Sequence, residues 1–401
     1  MRIGPPADPF HLTYCLNVHP GETLDDQRVA IEHYAAAVKQ RLGGREPFGL
    51  GLRLSRRAAD EMADAHVHAT VREVIAACGC YAFTVNAFPY GAFHGRVVKE
   101  SVYAPDWQER DRLDYTVAVA RALADLLPEG VAGSISTVPG SYRTWVTKPE
   151  QRAAIARGLA ACAWELARLE EQTGRHVALA IEPEPDCLIE TTAESIAFFE
   201  DSLLGVGAKW LAGTAGAVRA EDCIRRHIGV CLDTCHAAMQ FEAPADALRD
   251  LARAGIRVPK VQVSAALRAP LTADAIGRLP AFVDAVYLHQ TRIRYGDGRV
   301  ERHPDLTAAM IASLQPDSEA RIRSHFHVPL HFSGQGDLRS SASDLTPDFF
   351  RAAREAGCRH LEIETYTYDV LPASLRPDSI VESIAREYER VFAWLSDAKL
   401  R

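Results

Sequence analysis

The segment from Val230 to His236 joins a short apolar run to two side chains that bind divalent metals. The run Val230-Cys231-Leu232 is typical of a buried strand, and Asp233 and His236 follow it in the sequence Asp-Thr-Cys-His. Barrel-type α/β proteins carry their chemistry at the carboxyl ends of their strands, and carboxylate and imidazole both bind divalent cations. A purely structural interpretation stays open, in which Asp233 caps the following helix and His236 is a polar residue of its first turn.

Other apolar runs also end in polar residues that could reach the same point. Glu182 is the first polar residue after the fifth run and is followed by prolines that prevent continued strand pairing. In the seventh run, alternation places Gln262 on a face that could point into a barrel, and in the last run Glu362 and Glu364 share a face, with Glu364 nearer the rim. A divalent cation would remove the repulsion and the desolvation cost of such converging carboxylates. Salt bridges to barrel arginines are the alternative for Glu182 and Glu364.

A histidine-rich run could add imidazoles to this site. Residues 325–331 read His-Phe-His-Val-Pro-Leu-His, and strand alternation predicts that His325, His327 and His331 share one face. The alternative is an edge strand that exposes these histidines to solvent.

The first strands are followed by groups that suit substrate binding. His19 lies just past the first strand, Asn86 and Tyr90 follow the third, and His94 lies in a glycine- and aromatic-rich segment. The aromatic residues of 86–91 predict a wall over the barrel mouth. Each of these residues also has a structural interpretation, as a loop residue held by backbone hydrogen bonds or as part of a packed lid.

The elements that must position these residues alternate as strand and helix about eight times, which predicts an α/β fold of the (β/α)8 TIM-barrel type. A doubly wound open sheet is the alternative, but no GxGxxG motif follows the first strand. We expect one domain over residues 1–401, with a flexible N-terminus at 1–10 and insertions after strands three and seven, at 87–109 and 267–321. The predicted strands are 12–17, 48–54, 81–86, 133–137, 177–182, 230–233, 260–264 and 360–365, with a further strand-like run at 324–330.

Composition and charge limit the partners and the cellular compartment that we expect for this protein. The chain has 401 residues and a formal charge of −8, without a dense cluster of lysine and arginine, so nucleic acid is not an expected partner. No apolar run is long enough to span a bilayer and the N-terminus lacks the apolar core of a signal peptide, so we expect no direct membrane insertion. Nine scattered cysteines without a CxxC pair predict a reduced, cytoplasmic protein.

The strand ends Ile-Glu-Pro at 181–183 and Asp-Thr-Cys-His at 233–236 resemble the xylose-isomerase-like barrel superfamily, which includes sugar isomerases, ketose 3-epimerases and endonuclease IV. Over nearly the whole chain the sequence resembles the EboE-type metabolite traffic proteins more closely. The segments that carry this resemblance are LTYCLNVHPGET (12–23), PFGLGLRLS (47–55), NAFPYGAFHGRVVKESVYAPDW (86–107), GSISTVPGS (133–141), HFHVPL (325–330) and HLEIETYTYDVLP (360–372).

The resemblance implies a divalent metal site. The epimerases have a ligating histidine on the seventh strand where this chain has Gln262, a neutral and weaker ligand, and the His-Phe-His segment is the candidate to compensate. A mixed nitrogen and oxygen ligand set suits Mn²⁺, Mg²⁺, Zn²⁺ or Co²⁺ without choosing between them. The metal ligands predicted in this way are Glu182, Asp233, His236, Gln262, His327 and Glu364, and the predicted substrate ligands are His19, Asn86, Tyr90, His94 and His325.

Two functional hypotheses follow. In the first, the metal acts as Lewis acid and template for a small hydroxy-carbonyl, sugar-like metabolite, and Glu182 or Glu364 moves a proton on and off carbon in an isomerisation or epimerisation. In the second, the barrel binds the metabolite without catalysis and passes it to partner proteins of the same pathway, as a carrier or scaffold. Endonuclease activity is disfavoured because the chain is acidic overall.

Overall fold

The computed structural model describes residues 1–94 and 97–401, and at its centre eight parallel strands form a ring. Each strand pairs in parallel with the next, β8 pairs with β1, and a parallel bridge between Cys15 and Gly51 closes the ring between β1 and β2. The (β/α)8 prediction is therefore confirmed. The strands are β1 (Phe10–Tyr14), β2 (Phe48–Arg53), β3 (Cys80–Asn86), β4 (Gly133–Thr137), β5 (Val177–Ile181), β6 (Ile228–Asp233), β7 (Lys260–Val263) and β8 (His360–Ile363).

Helices cover the outside of the ring. The longest, Pro149–Thr173, begins with proline in its first turn and ends at Gly174, whose φ of 69° is the left-handed conformation that suits a glycine C-cap. The other α- and π-helical segments are Leu24–Val29, Ala30–Ala35, Ala36–Arg41, Arg56–Glu61, Ala65–Ala77, Arg110–Leu126, Thr192–Ala197, Phe198–Gly207, Ala208–Ala215, Ala217–His227, Thr234–Met239, Pro244–Arg253, Ala273–Arg278, Ala308–Ser313, Pro347–Glu355 and Ile380–Asp397.

Two segments next to the ring contain secondary structure that the sequence analysis did not predict. Within the predicted N-terminal tail, the short strand Arg2–Ile3 pairs antiparallel with β1. Within the predicted insertion 87–109, residues 95 and 96 lie outside the described residues, and Lys99–Tyr103 forms a 3-10 helix. The one-domain organisation and the insertion boundaries stay predictions.

Between β7 and β8 the chain builds a second, antiparallel sheet of five strands. The strand-like run predicted at 324–330 is the end of a longer strand of this sheet, Asp317–His327, and does not belong to the barrel. A hairpin missed by the sequence analysis joins Thr291–Arg294 to Val300–His303. The remaining strands are Ala266–Leu271 and Arg339–Ser340. The long strand matters for the site because it ends with His325 and His327.

The interior of the ring holds a buried ion pair, which depends on a glycine in β2. Lys260 Nζ lies 2.5 Å from Glu362 Oε2, and neither side chain is exposed. A Cβ atom at Gly51 would lie 2.0 Å from Glu362 Oε1. Gly51 therefore makes the space in which the Glu362 carboxylate sits.

We expect Gly51→Ala to lower the free energy of unfolding by about 1–3 kcal/mol, because overpacking a closed interior forces neighbouring side chains to shift. Gly213→Ala is the matched control, since its Cβ would meet no atom within 4 Å and alanine favours the helix around it. Urea unfolding of both variants measures the difference. Equal stability of the two variants would contradict the packing argument.

Two further findings bear on the sequence analysis. All nine cysteines are free thiols. Within residues 1–94 and 97–401, no helix has both the length and the hydropathy needed to cross a membrane.

Candidate metal centre

Three carboxylates meet at the carboxyl-terminal edge of the ring. Glu182 follows β5, Asp233 ends β6 and Glu364 follows β8. One carboxylate oxygen from each lies within 4.8 Å of the others, and the three residues are at most 4 % exposed. Because parallel strands end at the same edge, residues far apart in sequence come together here.

In two of these carboxylates, one oxygen is buried without a hydrogen-bond partner among the described residues. Asp233 Oδ1 accepts hydrogen bonds from the Cys235 and His236 amides at 2.7 and 2.9 Å and from Ser264 Oγ at 2.7 Å. Asp233 is therefore a helix cap, as the structural interpretation stated, but only through Oδ1. Its Oδ2 and Glu182 Oε2 are buried without a hydrogen-bond partner in the described part of the chain. Buried carboxylate oxygens without partners are costly, so these two atoms suit a positively charged ligand.

Asparagine side chains fix the third carboxylate. Asn17 Nδ2 and Asn86 Nδ2 donate to Glu364 Oε1 at 2.8 and 2.9 Å. Asn17 follows β1 and Asn86 ends β3, so two different strands of the ring hold Glu364 in place.

Three buried histidines lie beside the carboxylates with their tautomers fixed. His236 Nδ1 lies 2.9 Å from the Pro183 carbonyl oxygen, His325 Nδ1 lies 2.7 Å from Gln290 Oε1, and His327 Nδ1 lies 2.9 Å from the Glu364 carbonyl oxygen. A carbonyl oxygen can only accept, so each Nδ1 carries the proton and each Nε2 presents a lone pair.

These lone pairs point at one another. Nε2 of His325 lies 3.0 Å from Nε2 of His236 and 3.2 Å from Nε2 of His327. Burial lowers the pKa of all three imidazoles, that of His236 to about 4, so no ring proton bridges these nitrogens at neutral pH. Metal-binding histidines have this arrangement, with Nδ1–H donated to an acceptor and Nε2 free. The donor set therefore fits a divalent cation.

The carboxylates carry opposite pKa shifts. Burial raises the pKa of Glu182 and Glu364 well above 4.5, and the neighbouring carboxylates add to both shifts. Burial alone would also raise the pKa of Asp233, but the adjacent imidazoles of His236 and His327, and the Ser264 hydroxyl, outweigh burial and lower it. Asp233 is thus the group of the three that stays ionised most readily.

A cavity opens above these groups. Its surface divides into two parts, which we name the polar floor and the apolar wall. The polar floor consists of Asn17, Asn86, Glu182, Glu184, His236, His325 and Glu364. The apolar wall consists of Phe88, Pro89, Phe93, Val98, Val102, Tyr103, Tyr287, Leu288 and Tyr366, together with Lys99.

Of the predicted substrate ligands, Asn86 and His325 line the cavity and three others do not. His19 is stacked on Tyr34, with ring centroids 4.1 Å apart. Tyr90 packs on Tyr115. His94 uses both ring nitrogens, since Nε2 lies 2.5 Å from the Asn17 carbonyl oxygen and Nδ1 lies 2.9 Å from the Tyr287 hydroxyl. The structure therefore does not bring His19, Tyr90 and His94 to the cavity surface.

Two other predicted residues are separate from the cluster of lone pairs. Gln262 is buried beside Asp233 in the adjoining strand, but its Oε1 accepts a hydrogen bond from the Cys231 thiol at 3.0 Å. The prediction of one shared face holds for His325 and His327 and is wrong for His331. The strand ends at His327, and His331 Nε2 lies 2.9 Å from Ser383 Oγ.

Sequence reasoning missed three residues of the site. Glu184 belongs to a metal-compatible group with His236 and His325, and its position two residues after Glu182 was an available signal. Asn17 carried a similar signal, because it follows the first strand. Gln290, which orients His325, lies in an irregular stretch of the sequence, and no pattern there marks it.

We expect Gln290→Met to weaken divalent-metal affinity by about 10–100-fold, because loss of the acceptor lets the His325 proton move to Nε2, which lies 3.0 and 3.2 Å from the Nε2 atoms of His236 and His327. The control is Gln27→Met, another buried glutamine, which does not line the cavity. Metal titration by calorimetry measures both. Unchanged affinity in Gln290→Met would show that His325 needs no such support.

The comparisons with known proteins address the fold. No sequence model of a protein family matches the chain, and no curated protein matches it. Among solved structures, a xylose isomerase-like TIM barrel protein from Mycobacterium smegmatis in complex with magnesium is similar, with a TM-score of 0.51, 12% identity and 97% of each chain covered. The fold is that of the xylose-isomerase-like TIM barrels.

Two further structures of this kind have lower scores. A xylose isomerase domain protein from Alicyclobacillus acidocaldarius has a TM-score of 0.48 and 17% identity, over 97% of this chain and 99% of that one. The IolI protein with a bound zinc atom has a TM-score of 0.47 and 12% identity, over 98% of this chain and 99% of that one.

Proposed function

We propose that the barrel mouth holds a divalent metal ion and that the protein isomerises or epimerises a small hydroxy-carbonyl metabolite there. The observation that carries this proposal is the meeting of buried, unpartnered carboxylate oxygens with converging imidazole lone pairs at the carboxyl-terminal edge. The proposed ligands are Glu182, Asp233 and Glu364 with imidazole nitrogen from His236 and His327. When bound, the cation would supply Lewis acidity and a template for adjacent substrate oxygens.

The protein groups around the proposed ion have distinct roles. Glu182 and Glu364 are the proposed proton-transfer groups, because both line the cavity. Glu184 is a further candidate, because burial raises its pKa to about 8, which is near the value that suits general acid–base work at neutral pH. Asn86 and His325 line the cavity and are the proposed substrate contacts. Gln262 is left out of the ligand set because its amide oxygen is engaged by Cys231.

The metabolic setting rests on sequence resemblance. The segments at 12–23, 86–107 and 360–372 resemble EboE-type metabolite traffic proteins, and they contribute Asn17, Asn86 and Glu364 to the site. We therefore propose a role in the handling of a small metabolite, alongside partner proteins of the same pathway.

Hydrogen exchange in heavy water tests for catalysis. The metal-loaded protein is incubated with ketoses and α-hydroxyketones, and deuterium at the carbon next to the carbonyl is followed by NMR. Exchange that is abolished in Glu182→Gln supports proton transfer at carbon. Saturable binding without exchange would contradict catalysis and would instead support the carrier or scaffold role.

Metal affinity should depend on pH through Glu182 and Glu364. Both carboxyls hold their protons above pH 4.5 in the metal-free protein, and metal binding must release those protons. We expect apparent affinity to rise about tenfold per pH unit for each proton released.

The raised pKa values of Glu182 and Glu364 also determine how the stability of the metal-free protein changes with pH. Above pH 4.5, Glu182 and Glu364 bind more protons in the folded metal-free protein than in the unfolded chain, so their contribution to the free energy of unfolding should fall as the pH rises. Added metal should restore the lost free energy of unfolding, because it binds the folded protein. Titrations at several pH values, in buffers of different ionisation enthalpy, measure the released protons. Affinity that is independent of pH would contradict a ligand role for these two glutamates.

A further inference from the structure

The cationic group in the apolar wall is already fully engaged. Lys99 Nζ donates to the Asp284 carbonyl oxygen at 3.2 Å, to the Tyr287 carbonyl oxygen at 2.6 Å and to Asp305 Oδ2 at 2.6 Å. An ammonium group has three donors, so Lys99 has none left for a ligand. Its charge is paired with Asp305.

Two of the wall's tyrosine hydroxyls are engaged as well. The Tyr103 hydroxyl donates to Glu184 Oε1 at 2.8 Å and accepts from Gln290 Nε2 at 3.2 Å. The Tyr287 hydroxyl lies 2.9 Å from His94 Nδ1. Because that imidazole donates through Nε2 to a carbonyl oxygen, its Nδ1 accepts and the Tyr287 proton is used.

The rest of the wall presents aromatic rings to the cavity. Phe93, Tyr287 and Tyr366 lie with ring centroids 5.1–5.3 Å apart. Tyr366 also lies 4.7 Å from the His327 ring, so this apolar surface begins directly beside the imidazole cluster. Its hydroxyl is the one tyrosine hydroxyl of the wall without a hydrogen-bond partner among residues 1–94 and 97–401.

We infer that the substrate is amphipathic, with adjacent oxygens at one end and an apolar, flat body at the other. This inference rests on the proposed function, because the oxygen-bearing end is the part that meets the polar floor and its metal. Hydroxyl groups of a sugar chain would lose water against the apolar wall and find almost no free partner there, which costs binding energy. An apolar body loses no hydrogen bonds and gains from burial.

The test compares two α-hydroxyketones that share a chelating end. 2-Hydroxyacetophenone carries a phenyl body and erythrulose carries a polyol body. Calorimetric titration of the Mn²⁺-loaded protein should show at least tenfold tighter binding of 2-hydroxyacetophenone. The variants Val102→Thr and Leu288→Asn place polar atoms in the wall and should reduce this preference about tenfold, while Mn²⁺ affinity stays unchanged. Val218→Thr, at a residue 79% exposed and outside the cavity, is the matched control.

The outcomes separate the inference from the proposed function. Equal binding of the two ketones, tighter binding of erythrulose, or no binding of either to Mn²⁺-loaded protein overturns the inference and leaves the metal site standing. Failure of the protein to bind Mn²⁺ overturns the proposed function, and the inference with it. A preference for the phenyl ketone that Val102→Thr and Leu288→Asn do not alter would also overturn the inference, because another surface would then hold the phenyl ring.

Discussion

Replacing Asp233 with asparagine should reduce divalent-metal affinity by at least about 100-fold, more than the loss that accompanies removal of an outer-shell partner. Three donors converge on Asp233 Oδ1, so the amide oxygen of asparagine must take that position. The amide nitrogen then replaces Oδ2 and turns a donor toward the site where a cation needs an acceptor. Metal titration measures the loss.

The thermal behaviour of the same variant provides a second readout. Metal-free Asp233→Asn should unfold at a lower temperature than the wild type, because the lowered pKa of Asp233 means that its ionised form stabilises the folded protein. Added metal should raise the melting temperature of the wild type only. Asp64→Asn is the matched control, because Asp64 also caps a helix through two amides, at an exposed site. A metal response in Asp233→Asn equal to that of the control would contradict the ligand assignment.

Replacing His327 with glutamine should reduce affinity for Zn²⁺ or Co²⁺ by at least about 100-fold and change affinity for Mg²⁺ much less, since imidazole selects for transition metals and Mg²⁺ prefers oxygen ligands. In His327 the Nδ1–H is committed to the Glu364 carbonyl oxygen, which leaves Nε2 as the ligating atom. Competition between Mg²⁺ and Zn²⁺ in wild type and variant measures the change in selectivity.

His331→Gln is the control for this experiment. His331 lies four residues away in the same segment, but its ring bonds to Ser383 outside the cavity. Selectivity should therefore match that of the wild type. If the two variants lose Zn²⁺ affinity equally, or if neither does, the imidazole cluster does not contribute to the metal centre.

The sequence was sufficient to predict that the three carboxylates meet, because each of them is marked by a pattern in its own neighbouring residues. Glu182, Asp233 and Glu364 each follow an apolar run, and a parallel barrel brings all such positions to one edge. Asn86 was found by the same reasoning. Glu184 and Asn17 obey the rule too, but they lie beside residues that already explained the pattern.

What the sequence could not predict depends on contacts between distant segments. Strand alternation predicted that His331 shares a face with His325 and His327, but the strand ends at His327. Gln290 orients His325 through a pairing between two strands of the second sheet, and no local pattern marks that pairing. The engagement of Gln262 by Cys231 depends likewise on side-chain packing inside the ring.

The central claim is that Asp233, Glu182 and converging imidazoles share one cation. The most direct measurement is a crystal structure of the protein with Zn²⁺, with anomalous data recorded at the metal's absorption edge. We predict an anomalous peak about 2.0–2.2 Å from Asp233 Oδ2 and from at least one of the histidine Nε2 atoms. The absence of a peak at the barrel mouth, or a peak only at the separate Glu170, His176 and His227 group, would contradict it.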